Sequence, residues 1–354
     1  MTSEPQHILV IHVAGLGQTV LALPALRSLR AHLPEAGITI ASSEAAADLI
    51  RLAGCANEVL PVGRFRHAEL LNPKTFFRST KTIGELRHAH YDLAIEFKTN
   101  AEAAAVLNFA HPQRRLNTRR GRNQSLGEMI EKVTQAIATT KPSVPLHLAQ
   151  EYLKKLEPLG VRPIEAEPRL ATDRQADEQI DKLLRKHKVE FGELLVGIHP
   201  GAGLIRNRWP LERFVSIGAR MIHNFNARLL VFAGPQEKGL AKRIVSQLAE
   251  KHAAKRAIAV QSPKIPELVS AFARLSLLIA NHSGPAHIAA AVGAPVVVVS
   301  AFNPSFGKVS SMDVLGNRNE HVRASHPGLI SEEAVYEAAC RLLKMNRAEF
   351  LRNR

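Results

Sequence analysis

Leu277-Leu-Ile-Ala-Asn-His-Ser-Gly-Pro-Ala-His-Ile-Ala-Ala-Ala-Val-Gly-Ala-Pro-Val296 is the stretch that decides the fold. Its apolar run Leu277–Ala280 predicts a strand, Ser283-Gly284 a tight loop, Pro285–Val292 a helix ended by Gly293, and Pro295–Ser300 a second strand. Continuous rather than alternating apolar runs mark parallel strands buried on both faces. The loop then lies at the carboxyl edge of a sheet, where α/β domains take their ligands. Ser283 suits the cap, Pro285 the first turn, and Gly284 allows close backbone approach, so the N–H groups predict an anion site that a diphosphate would fit. His287, in that first turn, is placed to donate to a diphosphate oxygen. The same residues would also make a plain capped helix that binds nothing.

Working outward, strand and helix alternate throughout. Before the stretch come the strand Leu194–His199, a helix over Leu211–Asn224, the strand Arg228–Ala233, a helix over Glu237–Lys251, the strand Ala257–Gln261 and the helix Ile265–Arg274. The first half reads likewise: strand His7–Val13, helix Val20–His32, strand Gly37–Ala41, helix Glu44–Ala53, strands Glu58–Val62 and Tyr91–Phe97. The fold class is α/β, two doubly wound halves facing each other. Proline and glycine in Glu157–Pro168, ahead of a charged helix at Asp173–Lys188, place a linker near Arg162–Arg174. The expected division is 1–168, 169–330, and a last helix within 331–354 that packs back towards the first domain.

A chain of 354 residues with 45% apolar and 22% charged residues suits two ordinary globular cores. Cys55 and Cys340 form no metal spacing or disulfide framework. The N-terminal residues lack a secretory pattern, so a cytoplasmic location is expected. Forty-seven Lys plus Arg against 32 Asp plus Glu give a net charge of +15, which favours a polyanionic partner. With one Trp and three Tyr there is no stacking platform for nucleic acid. Gly15-Leu16-Gly17 is no dinucleotide fingerprint, because Val20 stands where the third glycine belongs.

Four blocks together carry a resemblance. The Ser283-Gly284-Pro285-Ala286-His287 stretch resembles the signature of glycosyltransferase family nine, the ADP-heptose:lipopolysaccharide heptosyltransferases. Ile8–Gly17 with Ala22-Leu-Pro-Ala-Leu-Arg27 is similar to that family's opening strand, glycine turn and first helix. His199-Pro200-Gly201 with Arg208-Trp209-Pro210 resembles its interdomain phosphate loop, and Phe232–Glu237 the loop whose acidic residue contacts the nucleoside. The resemblance implies a GT-B fold of two Rossmann-like domains with an interdomain cleft. It implies inverting, metal-independent transfer of heptose or a related sugar from an ADP-sugar to lipopolysaccharide core, by a monomer associated peripherally with the inner membrane.

Three positions depart from the family pattern. Gln18 stands where the family has the aspartate regarded as general base, Asn207 where it has a lysine, and His282 where it has the aspartate of its signature. An amide takes no proton near neutral pH. Arg206 and Arg208 offer partial compensation for the lysine, and Glu96, ending a strand towards the crevice, is the preferred substitute base, with His12 and His282 behind it. The resemblance assigns nucleotide-sugar contacts to His199, Gly201, Asn207, Glu237 and residues 282–287. Acceptor contacts fall to Gly15, Gly17 and two basic stretches read as loops, with Arg64, Arg66, Lys74, Arg78 and Lys81 in one, and Arg114, Arg115, Arg119, Arg120 and Arg122 in the other. A fold that has kept the nucleotide site without catalysis is the alternative.

Overall fold

The computed structural model describes residues 5–63, 82, 84–116, 146–237, 239–250, 256–302 and 310–352. The apolar runs form two parallel sheets. β1 (His7–His12), β2 (Gly37–Ser43), β3 (Glu58–Val62), β4 (Leu93–Glu96) and β5 (Arg114–Leu116) assemble in the order β3-β2-β1-β4-β5. β6 (Leu195–His199), β7 (Arg228–Ala233), β8 (Ala257–Gln261), β9 (Leu277–Asn281), β10 (Val296–Ala301) and β11 (Asn319–Ala324) assemble as β11-β10-β9-β6-β7-β8. Chain order reverses between β1 and β4 in one sheet and between β6 and β9 in the other. Such a reversal opens a crevice beyond the carboxyl ends of its two strands.

The helices among the described residues are α1 (Leu16–His32), α2 (Glu44–Ala53), α3 (Ala101–Ala110), α4 (Leu148–Lys154), α5 (Arg174–Lys186), α6 (Leu211–Phe225), α7 (Leu240–Glu250), α8 (Ile265–Ala273), α9 (Gly284–Ala291) and α10 (Glu332–Arg352). α1 is apolar nearly all round, and residues Thr19–Leu26 are buried. A helix of that kind belongs inside, not on a surface. It lies between the first sheet and α9 of the second unit, so Ile8, Leu23 and Leu26 share one continuous core with Leu278, Ala286 and Ile288.

Two glycines permit that contact. A Cβ at Gly284 would lie 2.7 Å from Leu16 Cβ, and one at Gly17 would lie 2.9 Å from the His287 ring. The first turns of α1 and α9 therefore meet backbone to backbone. This also corrects the start of the first helix, which begins at Leu16 rather than Val20, so Gln18 belongs to its first turn.

Other expectations are corrected. Arg114 and Arg115 lie in β5, paired with Leu93 and Ala94, and not in a loop. α7 begins at Leu240, leaving Glu237 in the preceding turn. Among the described residues the last helix packs on the second sheet, where its apolar stripe of Val335, Ala338, Ala339 and Leu342, spaced for one helical face, is buried with Val297 and Val299. Residues 161–173 carry no helix or strand. They are tied down by Arg27, which bonds Glu165 at 3.0 Å and the Arg169 carbonyl at 2.8 Å.

Since Leu16 Cβ is close to the backbone and has no free end to swing away, Gly284→Ala is expected to cost about 1–3 kcal/mol in denaturant unfolding. Gly203→Ala, whose Cβ meets nothing within 4 Å, is the control and should stay within about 0.5 kcal/mol.

Candidate active site

The crevice is lined from both sheets. In the first, the loops after β1 and β4 are joined by Asn100, whose amide donates to the Val13 carbonyl at 3.0 Å while its oxygen caps α3 at Ala103. Lys98, two residues beyond β4, donates to Gln18 Oε1 at 2.7 Å. Gln18 Nε2 in turn faces Met312 Sδ at 3.9 Å, a weak acceptor. Lys155, just past α4, bonds the Phe97 carbonyl at 2.7 Å.

His12 ends β1 fully buried, edge-on to Tyr152 and Phe97, with neither ring nitrogen partnered among the described residues. Burial, followed by Lys98 and Lys155, pushes its pKa down to about 3. It is a neutral ring that takes no proton near neutral pH. Glu96 does end its strand, is 3% exposed and pairs in register with Ile11.

In the second sheet, Glu237 is the organising group. Its Oε2 accepts from the Gly234 N–H at 2.9 Å, and its carboxylate pairs with Arg208 at 3.5 Å and faces His199 Nε2 at 3.9 Å. The carboxylate rests on Gly201, where a Cβ would fall 1.8 Å from Oε1. A side chain at position 201 would therefore displace the Glu237 carboxylate. Burial lowers the His199 pKa, with Glu237 opposing. Arg208 also donates to the Ala202 carbonyl at 2.9 Å, which closes the loop around the carboxylate. Arg206 and Asn207 sit in the exposed turn Ile205–Asn207 and join no side-chain hydrogen bond among the described residues.

Asn281 was not foreseen. Fully buried at the end of β9, it accepts from the Trp209 N–H at 2.9 Å and donates to the Pro200 carbonyl at 2.6 Å, bracing the two loops that carry His199 and Arg208. Its signal in the sequence was one polar residue closing the run Leu277-Leu-Ile-Ala.

Ser283 holds the N-cap position of α9, but its hydroxyl makes no capping bond and is buried without a partner among the described residues. That corrects its expected role. His287 is 2% exposed, its ring against Gly17 and its Nδ1 unpartnered among the described residues. Burial, then the neighbouring His282, His147 and His321, pushes its pKa down to about 3.

Three of these histidines hold one segment. His282 Nε2 donates to the Met312 carbonyl at 2.8 Å, His147 Nε2 to Asp313 at 2.9 Å and His321 Nε2 to Val314 at 3.3 Å. Carbonyls only accept, so every Nε2 carries the hydrogen. The Leu148 N–H adds a bond to the Ser311 carbonyl at 2.7 Å, tying α4 to the same segment. No sequence spacing connects positions 147, 282, 313 and 321, and this strap was missed.

Arg64, Arg66, Lys74, Arg78, Lys81, Arg119, Arg120 and Arg122 lie outside the described residues. Arg114 and Arg115 are exposed on β5. Among the described residues no group of three His, Cys, Asp or Glu is arranged to hold a metal ion, and no helix is long and apolar enough to cross a membrane.

Two facing parallel sheets with a crevice between their switch points define the class, a GT-B glycosyltransferase. Solved structures share the architecture. A glycosyl transferase family 9 protein from Veillonella parvula DSM 2008 superposes with a TM-score of 0.74 at 19% identity, covering 96% of this chain and 97% of that one. E. coli ADP-heptose lps heptosyltransferase II gives 0.72 at 19% identity, covering 96% and 99%. E. coli heptosyltransferase WaaC with ADP gives 0.69 at 16% identity, covering 95% and 99%. The model of glycosyltransferase family 9 (heptosyltransferase) matches residues 79–321, and the chain belongs to that family. No curated protein sequence matches it significantly.

Two outcomes follow from this geometry. Gly201→Ala displaces the Glu237 carboxylate and is expected to weaken nucleotide binding at least about tenfold, read by calorimetry, because charge-assisted contacts are lost together. Separately, the unfolded chain protonates His12, His287 and His321 near pH 6.5, whereas the folded chain does so only at about 3, 3 and 4. Stability is independent of these rings above about pH 7 and falls as the pH drops below 6.5, by about 1.4 kcal/mol per pH unit for each ring that stays neutral. Urea midpoints between about pH 7.5 and pH 5 check this, and His12→Phe should flatten the slope by roughly a third.

Proposed function

We propose that this glycosyltransferase takes heptose or a related sugar from an ADP-sugar and delivers it, with inversion, to an anionic glycolipid of the lipopolysaccharide-core type. The observation that carries the reading is the cluster at the second switch point. Glu237, seated on Gly201 and paired with Arg208, offers a carboxylate for ribose hydroxyls, while the first turn of α9 offers N–H groups and a positive helix end for the diphosphate. Solved structures of E. coli heptosyltransferase WaaC contain ADP and ADP-2-deoxy-2-fluoro heptose, which supports an adenine nucleotide as the probe. The leaving diphosphate gathers charge as the sugar departs, and preorganised donors at a helix end favour that transition state over the bound substrate. Arg208 adds a guanidinium, and no metal is needed for this step. The basic residues of the first domain suit an acidic lipid at the cytoplasmic face of the inner membrane, visited by a peripheral monomer.

A second reading, a family member that binds nucleotide without transfer, is favoured by one contact: Gln18 is an amide already engaged by Lys98.

Calorimetry with ADP tests the donor site. Binding is expected, unaffected by excess EDTA, and Arg208→Ala should weaken it about 10–100-fold. No ADP binding at millimolar concentration overturns both readings, whereas ADP binding with no turnover of any ADP-sugar on core glycolipids selects the second.

A further inference from the structure

A cavity lies at the far end of α9 from the turn proposed for the diphosphate. Its volume is about 320 Å³, at the lower end of what small-ligand sites occupy. α9 has eight residues, so roughly 12 Å of helix separates its two ends. Three segments form the walls: residues 167–170 of the stretch between the two sheets, residues 290–294 at the end of α9, and residues 316–319 leading into β11. Hydrogen bonds set each wall in place. The Leu170 N–H donates to the Ala291 carbonyl at 2.8 Å, and Arg27 of α1 holds the Arg169 carbonyl. The Asn319 amide donates to the Leu315 and Gly316 carbonyls at 2.9 and 3.3 Å. Gly316 makes that turn at a φ of +133°, and a Cβ there would lie 2.8 Å from Asn319 Nδ2.

The lining selects the charge of an occupant. A helix carboxyl end ordinarily presents bare carbonyls and attracts cations. Here the carbonyls of Ile288, Ala289, Ala290 and Ala291 accept from the N–H groups of Val292, Ala294, Gly293 and Leu170, and the Gly293 carbonyl accepts from Arg318 Nη1 at 3.2 Å. That end is saturated from within the protein. The charged side chains of the lining are Arg169, Arg318 and Glu167, two guanidiniums against one carboxylate. Arg169 is exposed, and its guanidinium makes no hydrogen bond or ion pair among the described residues. Guanidinium groups match the oxygens of carboxylates and phosphates. Leu170, Ala290, Val292 and Ala294 supply apolar surface beside them.

We propose that this cavity binds a small organic anion, a carboxylate or phosphate monoester carried on an apolar ring or chain. Arg169 and Arg318 take its charged group, and Leu170, Ala290 and Ala294 pack against its apolar part. Because Arg169 belongs to the stretch between the sheets and Arg318 to the second sheet's side, the bound anion ties one to the other. The site is separate from the nucleotide site, and no bond is made or broken there.

The test is calorimetry of the full-length protein, saturated with ADP so that the donor site is filled, and titrated with benzoate, phenyl phosphate, neutral benzamide and cationic benzylamine. Benzoate or phenyl phosphate is expected to bind, the tighter of the two naming the anionic group, with benzamide and benzylamine at least about tenfold weaker. Arg169→Met and Arg318→Met should each weaken the anion about fivefold or more, and Arg169→Met should leave ADP affinity unchanged. Thermal melts check folding, since Arg318 also holds the Gly293 carbonyl; the exposed Arg169 decides the matter should Arg318→Met not fold. The proposal is overturned if neither anion binds at about 10 mM, if benzamide or benzylamine binds as well as they do, or if Arg169→Met binds the anion as wild type does. Failure of ADP itself to bind sinks the donor reading instead, and the Arg169→Met comparison then decides the cavity without ADP.

Discussion

The contact between the first turns of α1 and α9 is the constraint on which the rest of the structure depends. Gly17 and Gly284 remove the two side chains that would keep these turns apart. Their close approach makes one continuous core from Ile8 and Leu26 to Ala286 and Ile288, and it turns the two switch points towards each other. It also sets two like-signed helix ends side by side. That arrangement costs electrostatic energy, which an anion held at the two helix ends would relieve.

Around this contact the protein separates its charges. The second domain places one carboxylate, Glu237, against a backbone with no Cβ and pairs it with Arg208. The first domain turns an ammonium, Lys98, towards an amide and keeps His12 neutral behind it. Between them, His147, His282 and His321 hold three consecutive carbonyls of Met312–Val314. Met312 reaches Gln18 from the same segment. The strap joins α4 to β9 and β11, so its histidines link both halves of the molecule.

How much of the fold was legible depended on burial. Interior strands such as Arg228–Ala233 were readable to the residue, because strands covered on both faces are continuous apolar runs. The edge strands β5 and β11 were not, since Arg114-Arg-Leu and Asn319-Glu-His-Val-Arg-Ala carry polar residues that an edge tolerates. The start of α1 was misplaced because Gly17 reads locally as a turn, and only the His287 ring explains a glycine inside a helix there. In the site, Glu237, Gly201 and the α9 turn stood out by residue type and by resemblance. Asn281 and the histidine strap did not, their partners being supplied by segments far away in the chain.

By itself the sequence determined the doubly wound halves, the family and the glycine-marked turn before α9, since each follows from short-range pattern: apolar runs, caps and loop glycines. Only the tertiary structure decided what the side chains in those turns do. Ser283 fits a cap in one dimension, yet its hydroxyl caps nothing; Glu96 ends its strand, and the fold leaves it buried. Gln18 reads as a lost base until Lys98, 80 residues on, is seen bonded to it at 2.7 Å. Burial and partners set the protonation and reach of a polar group, and neither is written in its neighbours along the chain.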